Sequence, residues 1–224
     1  KPLQDDPALW RYAAKVSDDL GHKQAALVRL ERAIQLEYEV HDQVPKVLTT
    51  SATKMINVER LRAEYGELMA RYEAVIDAAA TLETAVPEDL FARIIRAADQ
   101  WRAMEDDPTA CCQLAARLLS KLNRKELAWN YLTTPLAGRS GESSVWKSLA
   151  ENLASQRQVD LADMAYLKAF ELEQTNPEIL LAHAKLRLAN GRPVAGQGLL
   201  HKIVDSNWQP RFNRVVQEAK GLLP

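Results

Sequence analysis

A period of 34 residues runs through the C-terminal half of this chain, and it limits the fold more than any other feature. Ala116, Ala150 and Ala184 stand 34 residues apart. So do Ala128, Ala162 and Gly196, then Leu132, Tyr166 and Leu200, and Cys112, Trp146 and Leu180. Within one period, Trp146, Leu149, Ala150 and Leu153 fall at helical spacing, and Ala162, Tyr166 and Ala169 do so again after a short break. Each period therefore predicts two amphipathic helices whose small residues let their backbones approach closely. A helix pair this short cannot bury its own apolar stripe, so neighbouring pairs must cover it.

The clearest copy is Ser143 to Asn176. Ser143 or Ser144 is placed to cap its first helix, and Asp160 lies early in the second, where a carboxylate suits the helix dipole. With Trp146-x2-Leu149-Ala150-x2-Leu153 followed by Ala162-x3-Tyr166-x2-Ala169, the stretch resembles the tetratricopeptide repeat, a helix–turn–helix unit of this length. Copies are expected at 109–142, 143–176 and 177–210. Pro177, displaced from the family's usual place near the repeat end, reads as the first helical residue of the next unit. Residues 6–38 form a further copy, with Trp10, Ala13, Ala14 and Ser17 on one stripe and Ala26, Leu30 and Ala33 on the other. There Asp6-Pro7 signals a helix start and Leu20-Gly21 the turn between helices.

The middle of the chain departs from the pattern. Residues 41–56 read as an irregular connection. Leu61, Tyr65, Leu68, Tyr72, Val75, Ala79 and Leu82 then alternate spacings of four and three, which predicts one long helix from Asn57 to Glu83. Val86-Pro87 ends it, and Leu90, Ile94, Ala97, Trp101 and Met104 predict a second, so that 57–104 forms an antiparallel hairpin. Residues 210–222 carry Phe212, Val215, Val216 and Ala219 on one side and charges on the other, as a capping helix would, with Trp208 as its anchor. The expected fold class is all-α: one right-handed α-solenoid of tetratricopeptide-type repeats spanning 1–224, interrupted by the long-helix hairpin and closed by the cap.

Composition excludes several function classes. A net charge of −1 leaves no basic footprint for nucleic acid. No apolar run approaches the ~20 residues a membrane-spanning helix needs. Lys1 opens no secretory signal, and the chain reads as a module of a longer protein. The four histidines have no second ligand at metal spacing, and His183, on an apolar stripe, reads as structural. Cys111-Cys112 is a vicinal pair without a partner pair, so neither zinc nor a disulfide framework is expected, which suits a reducing compartment such as the cytoplasm. No phosphate-binding glycine loop and no nucleophile–base set is present, so neither a cofactor nor a catalytic site is expected.

In the tetratricopeptide family, the first helices of successive repeats line a concave surface that receives a peptide or helix of another protein. Carried onto this chain, that resemblance places Gln113, Arg117, Lys121, Lys147, Glu151 and Lys185 on the groove, as a modestly basic stripe. Some members clamp a C-terminal carboxylate there with Lys, Arg and Asn. Lys147 and Arg117 match in type, but the asparagines are absent. The implied function is a non-catalytic interaction scaffold. The alternatives are self-association through the 57–104 hairpin or an uncapped end, and an accessory domain of an enzyme whose active site lies elsewhere.

Overall fold

One turn geometry recurs along the chain at the 34-residue interval. The computed structural model describes residues 6–43 and 58–224. Its helices are α1 (Pro7–Asp19), α2 (Lys23–Gln43), α3 (Val58–Thr81), α4 (Leu90–Arg102), α5 (Thr109–Lys121), α6 (Lys125–Arg139), α7 (Ser143–Ser155), α8 (Val159–Leu172), α9 (Pro177–Ala189), α10 (Pro193–Asp205) and α11 (Asn213–Gly221). After α1, the amide of Gly21 donates to Asp18 O and that of His22 to Ser17 O. The same two bonds close α5 (Asn123 to Ser120, Arg124 to Leu119), α7 (Arg157 to Ala154, Gln158 to Leu153) and α9 (Gly191 to Leu188, Arg192 to Arg187). Gly21, Asn123, Arg157 and Gly191 take φ of 77, 57, 60 and 71°. This is the Schellman closure, in which a left-handed residue lets two orphan carbonyls be satisfied before the chain reverses.

Helix starts keep the same frame. Thr109, Ser143 and Pro177 open α5, α7 and α9, and Lys125, Val159 and Pro193 open α6, α8 and α10. Pro7 and Lys23 stand four periods ahead of Ser143 and Val159. No strand occurs among the described residues. Asp6 and Asn176 cap α1 and α9 alike: each side chain accepts from the amide two residues on, at 2.8 and 3.1 Å, and Pro follows at the first helical position. Ser143 is itself the first residue of α7, and neither it nor Ser144 acts as the cap; Glu142 holds that position and the Ser143 hydroxyl donates to Glu173 instead.

The helices fall into two compact units, residues 1–129 and 130–224, with the boundary inside α6. In the first, α1, α3 and α5 run side by side. Arg11–Glu64 and Arg71–Asp18, both 2.5 Å, join α1 to α3; Arg117–Glu73 (2.8 Å) and Lys121–Asp77 (2.6 Å) join α3 to α5. On the other side of α3, Glu31 of α2 accepts from Arg93 of α4 at 2.8 Å and from the Tyr72 hydroxyl. The α3–α4 hairpin therefore stacks in line between the α1–α2 pair and α5.

The buried face of α3 is Leu61, Tyr65, Leu68, Met69, Tyr72, Ile76 and Ala79. Two expected seam positions differ: Ile76 is buried in place of Val75, and Leu82 is exposed, beyond the helix end at Thr81. A strict seven-residue repeat keeps its face only if the helix supercoils. An ordinary α-helix drifts ~20° per heptad, so strict heptad positions slide off the face, whereas Ile76, 11 residues or about three full turns after Tyr65, stays on it. Leu68 is buried within its own unit, so this seam is internal packing. Helix α2 runs to Gln43, past the expected end at 38; the remainder of the expected connection, 44–56, lies outside the described residues.

In the second unit the small positions of the period are buried: Ala150, Ala162 and Ala184 have no exposed surface. At Gly196 a Cβ would lie 2.8 Å from Leu188 Cγ and 3.2 Å from the Ala184 carbonyl, so α9 and α10 meet closely enough to need glycine. Leu180, Leu181, Leu200, Ile203, Phe212, Val215 and Ala219 form one cluster that ties α11 to α9 and α10. Trp208 packs on it and donates from Nε1 to the Ile203 carbonyl at 2.7 Å. The capping segment begins as a 3-10 turn, Pro210–Phe212, and becomes α-helical only from Asn213.

Candidate functional site

The first helices of each unit present the residues expected to bind. In the first unit, α5 carries Gln113, Arg117 and Lys121 one turn apart on one face. Arg117 and Lys121 point toward α3, where Glu73 accepts from both, at 2.8 and 2.9 Å, and Asp77 accepts from Lys121 at 2.6 Å. These carboxylates raise the Lys121 pKa above its ordinary value, chiefly through the hydrogen bond from Asp77.

In the second unit, Lys147 and Glu151 lie on α7 and Lys185 on α9. Lys147 stands 4.0 Å from Glu178 of α9, and Lys185 stands 2.6 Å from Glu218 of α11. Ion pairs thus link α7 to α9 and α9 to α11, which makes the first helices a contiguous row here too. Glu151 is exposed. The expected basic stripe is in fact a mixed one: each of its four cations faces a carboxylate from a neighbouring helix, α3, α9 or α11. Sequence positions on separate helices could not show this pairing, which depends on which helices become neighbours.

The second unit also holds a cluster that sequence spacing left unresolved. His183 of α9 is buried, its Nε2 hydrogen-bonded to Asp163 of α8, and its ring stacks on Tyr166 with centroids 5.4 Å apart. Arg187 donates to both oxygens of Asp163, at 2.7 and 2.8 Å. That guanidinium holds the Asp163 carboxyl down at about 2. Burial lowers the His183 pKa, and Asp163 only partly opposes it. Through Asp163, two side chains of α9 are fastened to α8.

Other chemistry-bearing groups are similarly occupied. A cleft of about 370 Å³ in the first unit is floored by Tyr65, Leu68 and Tyr72 and walled by Glu31, Arg93 and Gln100. Its polar groups bond one another, with the Tyr65 hydroxyl donating to Gln100 at 3.0 Å. Cys111 and Cys112 are free and buried, and Cys111 donates to the Pro108 carbonyl. Its neighbour Cys112 and burial push the Cys111 thiol above its ordinary value. Among the described residues no group of three or more His, Cys, Asp or Glu could hold a metal ion, and no helix is long and apolar enough to cross a membrane.

Helix pairs of 34 residues, one repeated turn, small residues at the crossing and a row of first helices decide the architecture. The fold is of tetratricopeptide type. No family model matches the sequence, and no curated protein matches it. Solved structures similar to it include residues 41 to the end of MamA from Desulfovibrio magneticus RS-1, at 12% identity and TM-score 0.40, covering 88% of this chain and 92% of that one. Another is YrrB, described as a TPR protein with an unusual peptide-binding site, at 16% identity and TM-score 0.44, covering 98% and 94%. A further MamA structure has 11% identity and TM-score 0.46, covering 97% and 96%. The tetratricopeptide assignment rests on the helix register described above.

Proposed function

We propose that the protein is a non-catalytic scaffold that binds a segment of another protein on its first-helix faces. The observation that carries this reading is that the first helices of each unit carry exposed ion pairs. Arg117, Lys121, Lys147 and Lys185 are held in defined positions, yet each pair is solvent-accessible. Surface pairs of this kind contribute only about 0–1 kcal/mol, so a partner's carboxylates can exchange with Glu73, Asp77, Glu178 and Glu218 at little cost. Gln113 and Glu151 supply a neutral and an acidic contact beside the cations. The partner that fits is an acidic or amphipathic peptide or helix, whose association is steered by charge and weakens with salt.

Affinity capture from native extract tests this, with the wild-type chain and the Arg117→Glu/Lys147→Glu variant compared at equal helicity. A protein retained by the first, lost by the second and released by raised salt is the expected result. Equal recovery by both would place binding away from these faces.

A further inference from the structure

The outer side of α1 is built like a buried surface. Leu9, Tyr12, Val16 and Leu20 recur at spacings of three and four and form one stripe, with exposures of 42, 70, 36 and 65%. The stripe lies away from the helix's other partners. Ala14 and Ser17 are buried, with the Ser17 hydroxyl taking part in a contact from Arg29 of α2, while Arg11 and Asp18 reach α3.

The repeat register shows what normally covers such a stripe. The residues in the place of Leu9 are Cys111, Val145 and Ile179, which are 1, 4 and 1% exposed. Leu118 and Leu186 stand in the place of Val16 and are buried as well. At α9 the cover is α8, the second helix of the preceding pair, through Asp163 and Tyr166 against His183. The entry to α1 also matches that of α9, an interior first helix, in its cap and its proline. Helix α11 shows the opposite treatment: its exposed side chains are Asn213, Arg214, Gln217, Glu218 and Lys220, the polar outer face that a terminal helix requires.

We infer that α1 is an interior first helix, and that its exposed stripe seats the second helix of a preceding tetratricopeptide-type pair in the same polypeptide. The area argues for a tethered occupant. The four residues expose roughly 400 Å², as much as the largest apolar patch of a typical monomer, which is often functional. That is about half of the ~800 Å² per partner a stable two-chain interface buries. The occupant is an amphipathic helix presenting large apolar side chains toward α1, as α8 presents Tyr166 toward α9.

The test grafts the protein's own pair onto its front. Residues 143–175 are placed directly before Asp6, replacing residues 1–5, so that the chain enters α1 as it enters α9. A control graft carries Tyr166→Glu and Phe170→Glu in the added copy only. Amide exchange across α1 is expected to slow at least tenfold with the first graft and to stay unchanged with the control. The ungrafted chain and its Tyr12→Glu variant are both expected to sediment as monomers. Unchanged exchange in α1, or added helices that stay unfolded before a folded chain, would overturn the inference. So would an ungrafted dimer that Tyr12→Glu dissociates, since a second copy would then be the occupant.

Discussion

At the scale of single residues, the turn after α7 departs from its equivalents in side chain but not in geometry. Gly21 and Gly191 take the left-handed conformation freely and Asn123 tolerates it, but Arg157 holds φ of 60° with a Cβ that disfavours it. Arg157→Gly should therefore raise stability by about 1 kcal/mol, read from urea unfolding. A loss of stability would mean that the Arg157 side chain does something its backbone position does not reveal. His183 gives a pH dependence with a definite sign. The fold holds this histidine below its ordinary 6.5, so its contribution is complete above 6.5 and is lost as pH falls below it. Asp163 is depressed from 3.8 to about 2, so its contribution is complete above 3.8 and is lost as pH falls toward 2. Urea midpoints should thus decline in two stages on acidification. His183→Leu, which restores the residue type found one period earlier at Leu149, should remove the upper stage; an unchanged decline just below pH 6.5 would refute this origin.

At the scale of elements, α6 contains the least favourable residue in any repeat helix. Pro135 sits inside it, where it can donate no amide to the Tyr131 carbonyl. The period puts Ala33 and Ala169 in its place, both fully buried, so alanine fits the site. Pro135→Ala should stabilise the protein by about 2 kcal/mol, measured by thermal or urea unfolding. A neutral or destabilising result would show that the helix is bent to suit its packing. The repeat helices were legible in the sequence because their small residues recur at fixed intervals: Ala150 and Ala162 mark a helix crossing whatever surrounds them. The long helix α3 was legible as a helix but not in its face, since Val75 and Ile76 are both apolar and only the drift of a straight helix chooses between them. The cap of α7 was misplaced because two adjacent serines look like better caps than Glu142, and sequence does not show that Ser143 is drawn to Glu173.

At the scale of the whole molecule, the residues expected to bind were legible in their place on the helices and not in their charge surroundings. Arg117, Lys121, Lys147 and Lys185 do lie on first helices, as the repeat frame requires. Their neutralising partners Glu73, Asp77, Glu178 and Glu218 come from 31 to 48 residues away along the chain, so they appear only once the helices are stacked. One repeated helix pair, closed by one repeated turn, builds both units. Native-state hydrogen exchange tests it most directly at the amides of His22, Arg124, Gln158 and Arg192, which lie just beyond the helices and bond back across the turn. All four should be protected against exchange, in contrast to the amide of Ser140, which lies in an ordinary helix-to-helix connection at the surface. Rapid exchange at these four positions would contradict the shared turn and, with it, the repeat register on which the fold and the function are argued.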